Sequence, residues 1–207
     1  MRIGLACEAG APPAELLALL EAAGLPAASL GGEAPPAVVV ADETVWFLAS
    51  AVDVLRACER GALDAGVVGS DRLLEGRLGV ADLLDLRRCR DDLVFAVVPA
   101  AVRPHRRLRV ATRHPEAARR YFAASGAQPD ILVLDEPVLA PALGLADGVI
   151  ELAARLDAGR RGSPLLEVRD VVASCSAHLV ASRAARVLRR TEFAFLVDRL
   201  RSAVEVA

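Results

Sequence analysis

Arg109-Val110-Ala111-Thr112-Arg113-His114-Pro115-Glu116-Ala117-Ala118-Arg119-Arg120-Tyr121-Phe122 changes its period halfway along. Leu108 to Thr112 has the short, apolar, β-branched character of a buried strand, and Pro115 to Ala124 has helical spacing. Pro115 suits the first position of that helix, because the N–H that proline lacks has no intrahelical acceptor there. A strand that feeds a helix within three residues is the building unit of a parallel α/β sheet. The same grammar recurs upstream. Arg2 to Cys7 reads as a strand, followed by a Gly/Pro turn and an Ala/Leu helix from Pro13 to Ala23. Ala37 to Ala41 and Thr44 to Leu48 read as strands joined through Asp42-Glu43, and Val52 to Arg60 as a helix stopped by Gly61. Asp64 to Val68 is again a strand, ending at Gly69.

A second series starts near Asp92, with strands Leu93 to Val98, Leu108 to Thr112, Ile131 to Leu134 and Gly148 to Ile150. Gly159 to Pro164 reads as a loop, Leu165 to Val168 and Val171 to Ala181 as strands, and the remainder as a terminal amphipathic helix. In open, largely parallel sheets ligands bind beyond the carboxyl ends of the strands. The loops after Cys7, Val68, Leu134 and Ile150 are therefore where a site is expected.

Composition narrows the chemistry. The chain has 207 residues, 54% hydrophobic and only 3% aromatic, so its core is built of Ala, Leu and Val. All 25 basic residues are arginine, and the absence of lysine excludes a Walker-type phosphate loop, a pyridoxal Schiff base and a lysine nucleophile. A formal net charge of -2 supplies no field to hold nucleic acid or an acidic membrane surface, so neither is an expected partner. Cys7, Cys58, Cys89 and Cys175 are scattered, with no CxxC pair or zinc-type spacing, so no structural metal is expected. No apolar run is long enough to span a bilayer, and free thiols in a reducing cytoplasm are the expectation.

Several stretches resemble the ATP phosphoribosyltransferase catalytic-subunit family. Arg109 to Pro115 with Ala118 to Phe122 is similar to the strand and helix that open the family's second lobe. Leu139-Ala140-Pro141-Ala142-Leu143-Gly144-Leu145-Ala146-Asp147 resembles its next signature. Asp64-Ala65-Gly66-Val67-Val68-Gly69-Ser70-Asp71 resembles the family's Asp-x-Gly-Ile-x-Gly-Lys-Asp turn, with Asp53, Glu59 and Gly61 at matching offsets. Ser176 to Val180 is similar to the return strand, with His178 in the usual place of an arginine.

The resemblance implies a two-lobed, periplasmic-binding-protein-like (type II) α/β fold, with residues 1–91 and 171–207 in one lobe and 92–170 in the other. It implies a cytoplasmic glycosyltransferase of histidine biosynthesis that moves phosphoribose from phosphoribosyl pyrophosphate to a purine nucleotide or related base, with Mg²⁺ on the pyrophosphate. A ligand in the inter-lobe cleft, a homo- or hetero-oligomer and a separate histidyl-tRNA-synthetase-like regulatory subunit belong to the same picture, since the chain has the family's short form.

Against that pattern stand several substitutions at phosphate-binding positions. Ala6-Cys7-Glu8-Ala9-Gly10 replaces a Pro-Lys-Gly-Arg turn, and Ser70 replaces the lysine of the glycine turn. Asp135-Glu136-Pro137-Val138 replaces Gly-Ser-Val-Glu, adding acid and removing a backbone donor. The family's Glu-Thr-Gly-Arg-Thr phosphate loop falls on Ala154 to Ala158 without gaps, or on Asp157-Ala158-Gly159-Arg160-Arg161 after a three-residue shift.

The candidate ligand-binding residues are Gly10, Gly69, Ser70, Asp71, Asp135, Asp157, Gly159 and Arg160. The candidate catalytic residues are Cys7, Glu8 and Glu136, as nucleophile or acid-base groups, set against a reading of Cys7 as a small buried thiol and Glu8 as a solvated carboxylate. Glu151 could serve as acid, base or ligand to Mg²⁺, or simply solvate a loop; His178 could pair with Ser176, which shares its strand face. The Arg103 to Arg107 tract reads as an anion site or a solvated loop, and Trp46 as a stacking platform or a core residue. Two functions stay open: phosphoribosyl transfer, weakened or altered by the lost cations, and a repurposed ligand-binding or regulatory module, or an enzyme for a less anionic ligand.

Overall fold

The computed structural model describes residues 1–7, 12–31, 37–76, 79–99, 106–159 and 166–206. The chain divides into two compact units, the first Met1–Leu73, Arg77–Arg90 and Ser176–Ala207, the second Leu74–Gly76 and Asp91–Cys175.

The first unit is a six-stranded sheet in the order β2-β3-β1-β4-β11-β5. Its strands are β1 (Arg2–Ala6), β2 (Val38–Ala41), β3 (Thr44–Ala49), β4 (Ala65–Gly69), β5 (Val80–Asp85) and β11 (Ala177–Ser182). β3, β1 and β4 run parallel, as the strand-to-helix grammar requires. β2 and β3 form the tight hairpin expected through Asp42-Glu43, with Asp42 at φ 51°, in the left-handed region that tight hairpin turns use. β11 is antiparallel to both β4 and β5, so the sheet is mixed rather than wholly parallel.

Helix α1 (Ala14–Ala22) buries Leu16, Leu19 and Leu20, a three-four spacing that makes one apolar stripe. Helix α2 (Ala51–Glu59) is capped by Ser50, whose Oγ accepts the Asp53 amide at 3.2 Å, and buries Val54, Leu55 and Cys58. A short helix α3 (Ser70–Leu73) follows β4 directly. The C-terminal part forms α6 (Arg183–Leu188) and α7 (Arg190–Val206), the latter burying Phe193, Leu196, Leu200 and Ala203 and packing on α1. α2 sits close on the sheet because Gly4 and Gly66, partners across β1 and β4, lie beneath it; a Cβ on either would meet Val54 at 2.8 or 2.6 Å.

The second unit is a five-stranded sheet in the order β10-β6-β9-β7-β8. Its strands are β6 (Asp91–Val97), β7 (Arg109–Thr112), β8 (Asp130–Val133), β9 (Gly148–Leu152) and β10 (Glu167–Cys175). Here β9, β7 and β8 are parallel, and β6 and β10 are antiparallel additions. Helix α4 (Pro115–Ala124) begins at Pro115 as its sequence predicts, and Phe95, Tyr121 and Phe122 pack ring against ring on one side of the sheet. α5 (Ala153–Gly159) occupies a stretch read from sequence as a phosphate loop.

The strand read as Val171 to Ala181 is two strands that meet at Ser176 and belong to different units. β10 follows β6 from Glu167 to Cys175 through two register shifts, and these irregularities blur its alternation in sequence. The second unit thus holds all of β10, where the expected boundary cut it at residue 170.

Candidate functional site

The carboxyl ends of the parallel strands gather the candidate residues into separate clusters within each unit. In the first unit, β4 delivers Gly69, Ser70 and Asp71. The Ser70 amide donates to the Ser176 carbonyl at 2.8 Å, and the Ser176 amide donates back to Ser70 Oγ at 3.1 Å. That reciprocal pair leaves the Ser70 hydroxyl proton to donate elsewhere. Asp71 is buried, lies 3.4 Å from Arg72 Nε, and folds over Gly69, where a Cβ would meet its Oδ1 at 2.2 Å. A side chain at position 69 would have to displace this carboxylate.

Beyond Ser176 the network continues through Asp85, which accepts the Ser176 hydroxyl at 2.7 Å and the Arg87 amide at 2.8 Å. His178 sits between two carboxylates, with Nδ1 3.0 Å from Asp82 Oδ1 and Nε2 3.7 Å from Asp85 Oδ1. The expected Ser176–His178 relation is thus mediated by Asp85. Burial pushes the Asp85 carboxyl up, and the Ser176 hydroxyl, the Arg87 amide and the His178 and Arg87 charges outweigh it, leaving the group below its ordinary value.

Cys7 lies at the end of β1, its amide donating to the Ala49 carbonyl at 3.0 Å. Burial pushes its thiol up, more than the Ala49 hydrogen bond pulls it down. A nucleophilic cysteine needs the thiolate, so this environment argues against that role. Burial also pushes Cys58 up to about 12 and Cys89 up to about 11, and none of the four cysteines is in a disulfide. Trp46 is fully buried in the core of the first unit, which removes it as an exposed stacking platform.

In the second unit the ends of β7 and β9 meet in a buried polar knot. Thr112 Oγ1 donates to the Ile150 carbonyl at 2.8 Å and accepts the His114 amide at 2.9 Å. Glu151, fully buried, places Oε2 3.2 Å from Arg113 Nε and Oε1 3.8 Å from His114 Nε2. Burial raises the Glu151 carboxyl, and the His114 hydrogen bond, the Leu152 amide and the charges of Arg113 and His114 reverse that, holding it below its usual range. Glu151 is thus a fixed anion, a poor proton acceptor at neutral pH. Glu151 is one of the residues the sequence offers as acid, base or Mg²⁺ ligand, whereas Arg113 and His114 stand out there only as part of the strand-to-helix signature.

The heads of α4 and α5 each already hold a carboxylate of the chain. The Glu116 and Ala117 amides at the head of α4 donate to Glu75 at 3.1 and 3.0 Å. The Ala154 amide at the head of α5 donates to Asp91 at 3.3 and 3.4 Å. Burial, together with repulsion from Asp92, raises the Asp91 carboxyl above its ordinary value despite those amides. A free helix N-terminus is a ready anion site, so these carboxylates stand where anionic ligands are commonly held.

Asp135 and Glu136 follow β8 and are exposed, with Glu136 3.3 Å from Arg155 on α5. Asp157 lies on the exposed side of α5, and Gly159 closes that helix against Val138, where a Cβ would come within 2.7 Å. That close approach favours glycine at this position. Glu8, Gly10, Arg160 and the Arg103 to His105 part of the basic tract lie outside the described residues. Among the described residues no group of three or more His, Cys, Asp or Glu side chains is arranged to hold a metal ion, and no helix is long and apolar enough to cross a membrane.

Known proteins match this chain across both units. The family model for HisG, ATP phosphoribosyltransferase, matches residues 50–202. An ATP phosphoribosyltransferase of Pseudomonas putida is 38% identical over 166 residues, covering 79% of this chain and 78% of that protein. The Pseudomonas fluorescens enzyme of the same name is 37% identical over the same shares. Among solved structures, a chain of the ATP phosphoribosyl transferase (HisG:HisZ) complex from Thermotoga maritima superposes with a TM-score of 0.77 at 20% identity, covering 100% of both chains. The periplasmic aliphatic sulphonate binding protein SsuA of Escherichia coli follows the same fold, with a TM-score of 0.60 at 14% identity over 99% of this chain and 72% of that one.

Proposed function

We propose, from the premise that this chain belongs to the ATP phosphoribosyltransferase family, that it joins the phosphoribosyl group of phosphoribosyl pyrophosphate to N1 of ATP. The observation that carries the reading is the family match over residues 50–202, which takes in the strand ends β4–α3, β7–α4 and β9–α5. It favours transfer over a repurposed binding module. In the reaction the N1 lone pair forms a bond to the ribose carbon while the bond from that carbon to pyrophosphate oxygen breaks, and pyrophosphate leaves with the electron pair. The adenine ring carries the resulting positive charge until its amino group loses a proton.

The protein's part in such a step is to hold two polyanions and to stabilise the leaving charge. Ser70 offers its hydroxyl proton from a rigid turn. Glu151 stays ionised and fixes Arg113 at the end of β7. Gly159 and Arg160 are the residues proposed to receive the donor's phosphate, because the helix starts of α4 and α5 are filled by Glu75 and Asp91. Mg²⁺ enters as part of the substrate. It commonly binds through one or two carboxylates plus substrate phosphates. A separate regulatory subunit is proposed as the partner, since the structural relative from Thermotoga maritima is a HisG:HisZ complex. A cytoplasmic setting fits this biosynthetic role.

Calorimetric titration of the chain, with and without Arg160→Ala, by phosphoribosyl pyrophosphate and Mg²⁺ tests the donor site. Binding tighter than about 1 mM, roughly 4 kcal/mol, that weakens on loss of Arg160 supports the assignment. Equal binding by both proteins removes Arg160 from it.

A further inference from the structure

The first unit carries a groove of about 760 Å³ between the edge strand β5 and the helices α6 and α7. Ala81, Leu83, Val187 and Val197 form its apolar wall, and Arg183, Arg186 and Arg190 stand along it. None of these three arginines has an acidic partner among the described residues; the neighbouring Arg189 takes both Asp64 and Glu192, and Asp198 is paired with Arg201. Arg183 and Arg190 are moreover the first residues of α6 and α7, where the helix dipole disfavours a cation, and α6 has no acidic residue in its first turn. Three positive charges thus line the groove with no close acidic partner among the described residues.

Apolar exposure coincides with that charge. Val187 is 76% exposed, and nearby on the same two helices Leu188 is 84% and Phe195 68% exposed. A small anion would answer the arginines and leave those side chains in water. A macromolecular surface answers both. From Arg190 to Val197 the groove follows α7 for about 10 Å at a rise of ~1.5 Å per residue, enough for a helix turn or a short strand. A two-fold contact between copies of this chain through this groove would set the arginines of one against those of the other, because such contacts bring a patch onto itself. The occupant is therefore a different polypeptide of complementary charge.

We propose that the groove between β5 and α6–α7 docks an acidic, apolar segment of the separate regulatory subunit, with Arg183, Arg186 and Arg190 pairing its carboxylates and Val187 seating its apolar side chains. This rests on the partner reading given under the proposed function and adds where on the chain that partner sits. Charge pairing by the three arginines makes the contact weaken as salt rises, while burial of Val187 does not.

Sedimentation velocity of the full chain mixed with a histidyl-tRNA-synthetase-like regulatory subunit tests this, using wild type and R183E/R186E/R190E. The expected result is wild-type complex formation that falls with added salt, at least a tenfold loss of affinity in the variant, and unchanged calorimetric binding of phosphoribosyl pyrophosphate. Should the reversed variant fail to fold, the triple Arg→Gln variant carries the same comparison with a smaller, same-signed loss. A folded variant that binds the subunit within twofold of wild type overturns the groove assignment alone. Absence of any wild-type complex overturns the partner reading and the groove together. A variant that loses only self-association assigns the groove to a second copy and overturns the proposal.

Discussion

The Ala154 amide lies 3.3 Å from the Asp91 carboxylate, so the head of α5 holds an internal anion. Because burial and Asp92 raise the folded pKa of Asp91 above its ordinary value of 3.8, the ionised form is disfavoured by folding. The contribution is favourable below the unfolded value and lost as pH rises through the folded one. Asp91→Asn, which can still accept the amide, is expected to raise the melting temperature at pH 7 and to leave it unchanged near pH 3. A lower melting temperature at pH 7 would show that the charge itself holds the helix.

Glu151 is the opposite case. Its carboxyl is held below 4.5 in the fold, so its stabilisation is present above that value and fades as pH falls through the lowered folded pKa. Glu151→Ala removes one side of a buried ion pair with Arg113, which costs about 3–5 kcal/mol. Denaturant unfolding at pH 7 measures this, and a loss under about 1 kcal/mol would place the knot in water.

The glycines under α2 make a packing prediction. Gly66→Ala brings a methyl within 2.6 Å of Val54 and 3.2 Å of Cys58 in a fully buried layer. Overpacking of this kind costs about 1–3 kcal/mol, read as a fall in the unfolding midpoint with little change in slope.

Cys7→Ser is expected to keep turnover within a few-fold of wild type, and iodoacetamide is expected to label Cys7 slowly at neutral pH, because burial raises the thiol. Complete loss of activity in the serine variant, with fast labelling, would restore the nucleophile.

Much of the fold was legible because strand and helix periods are local. The Arg109 to Phe122 stretch, the Asp42-Glu43 hairpin and the Pro115 helix start are each written in adjacent residues. β5 was missed, since Val80 to Asp85 is a half-exposed edge strand whose Asp82 and Asp85 break the apolar pattern. The split of β10 from β11 at Ser176 depends on which sheet each strand joins, a long-range fact. The site was less legible. Gly69, Ser70 and Asp71 are consecutive and lie where β4 passes into α3. Glu75 and Asp91, the carboxylates that fill the helix starts of the second unit, come from outside the motifs they cap, so nothing near them in sequence announced the pairing.

Phosphoribosyl transfer by this chain is read by chromatography of product from ATP, phosphoribosyl pyrophosphate and Mg²⁺, with the purified chain and the regulatory subunit. N1-phosphoribosyl-ATP and pyrophosphate are expected in equal amounts, dependent on the chain. ATP and phosphoribosyl pyrophosphate recovered unchanged, from a folded chain in a verified complex, would contradict it.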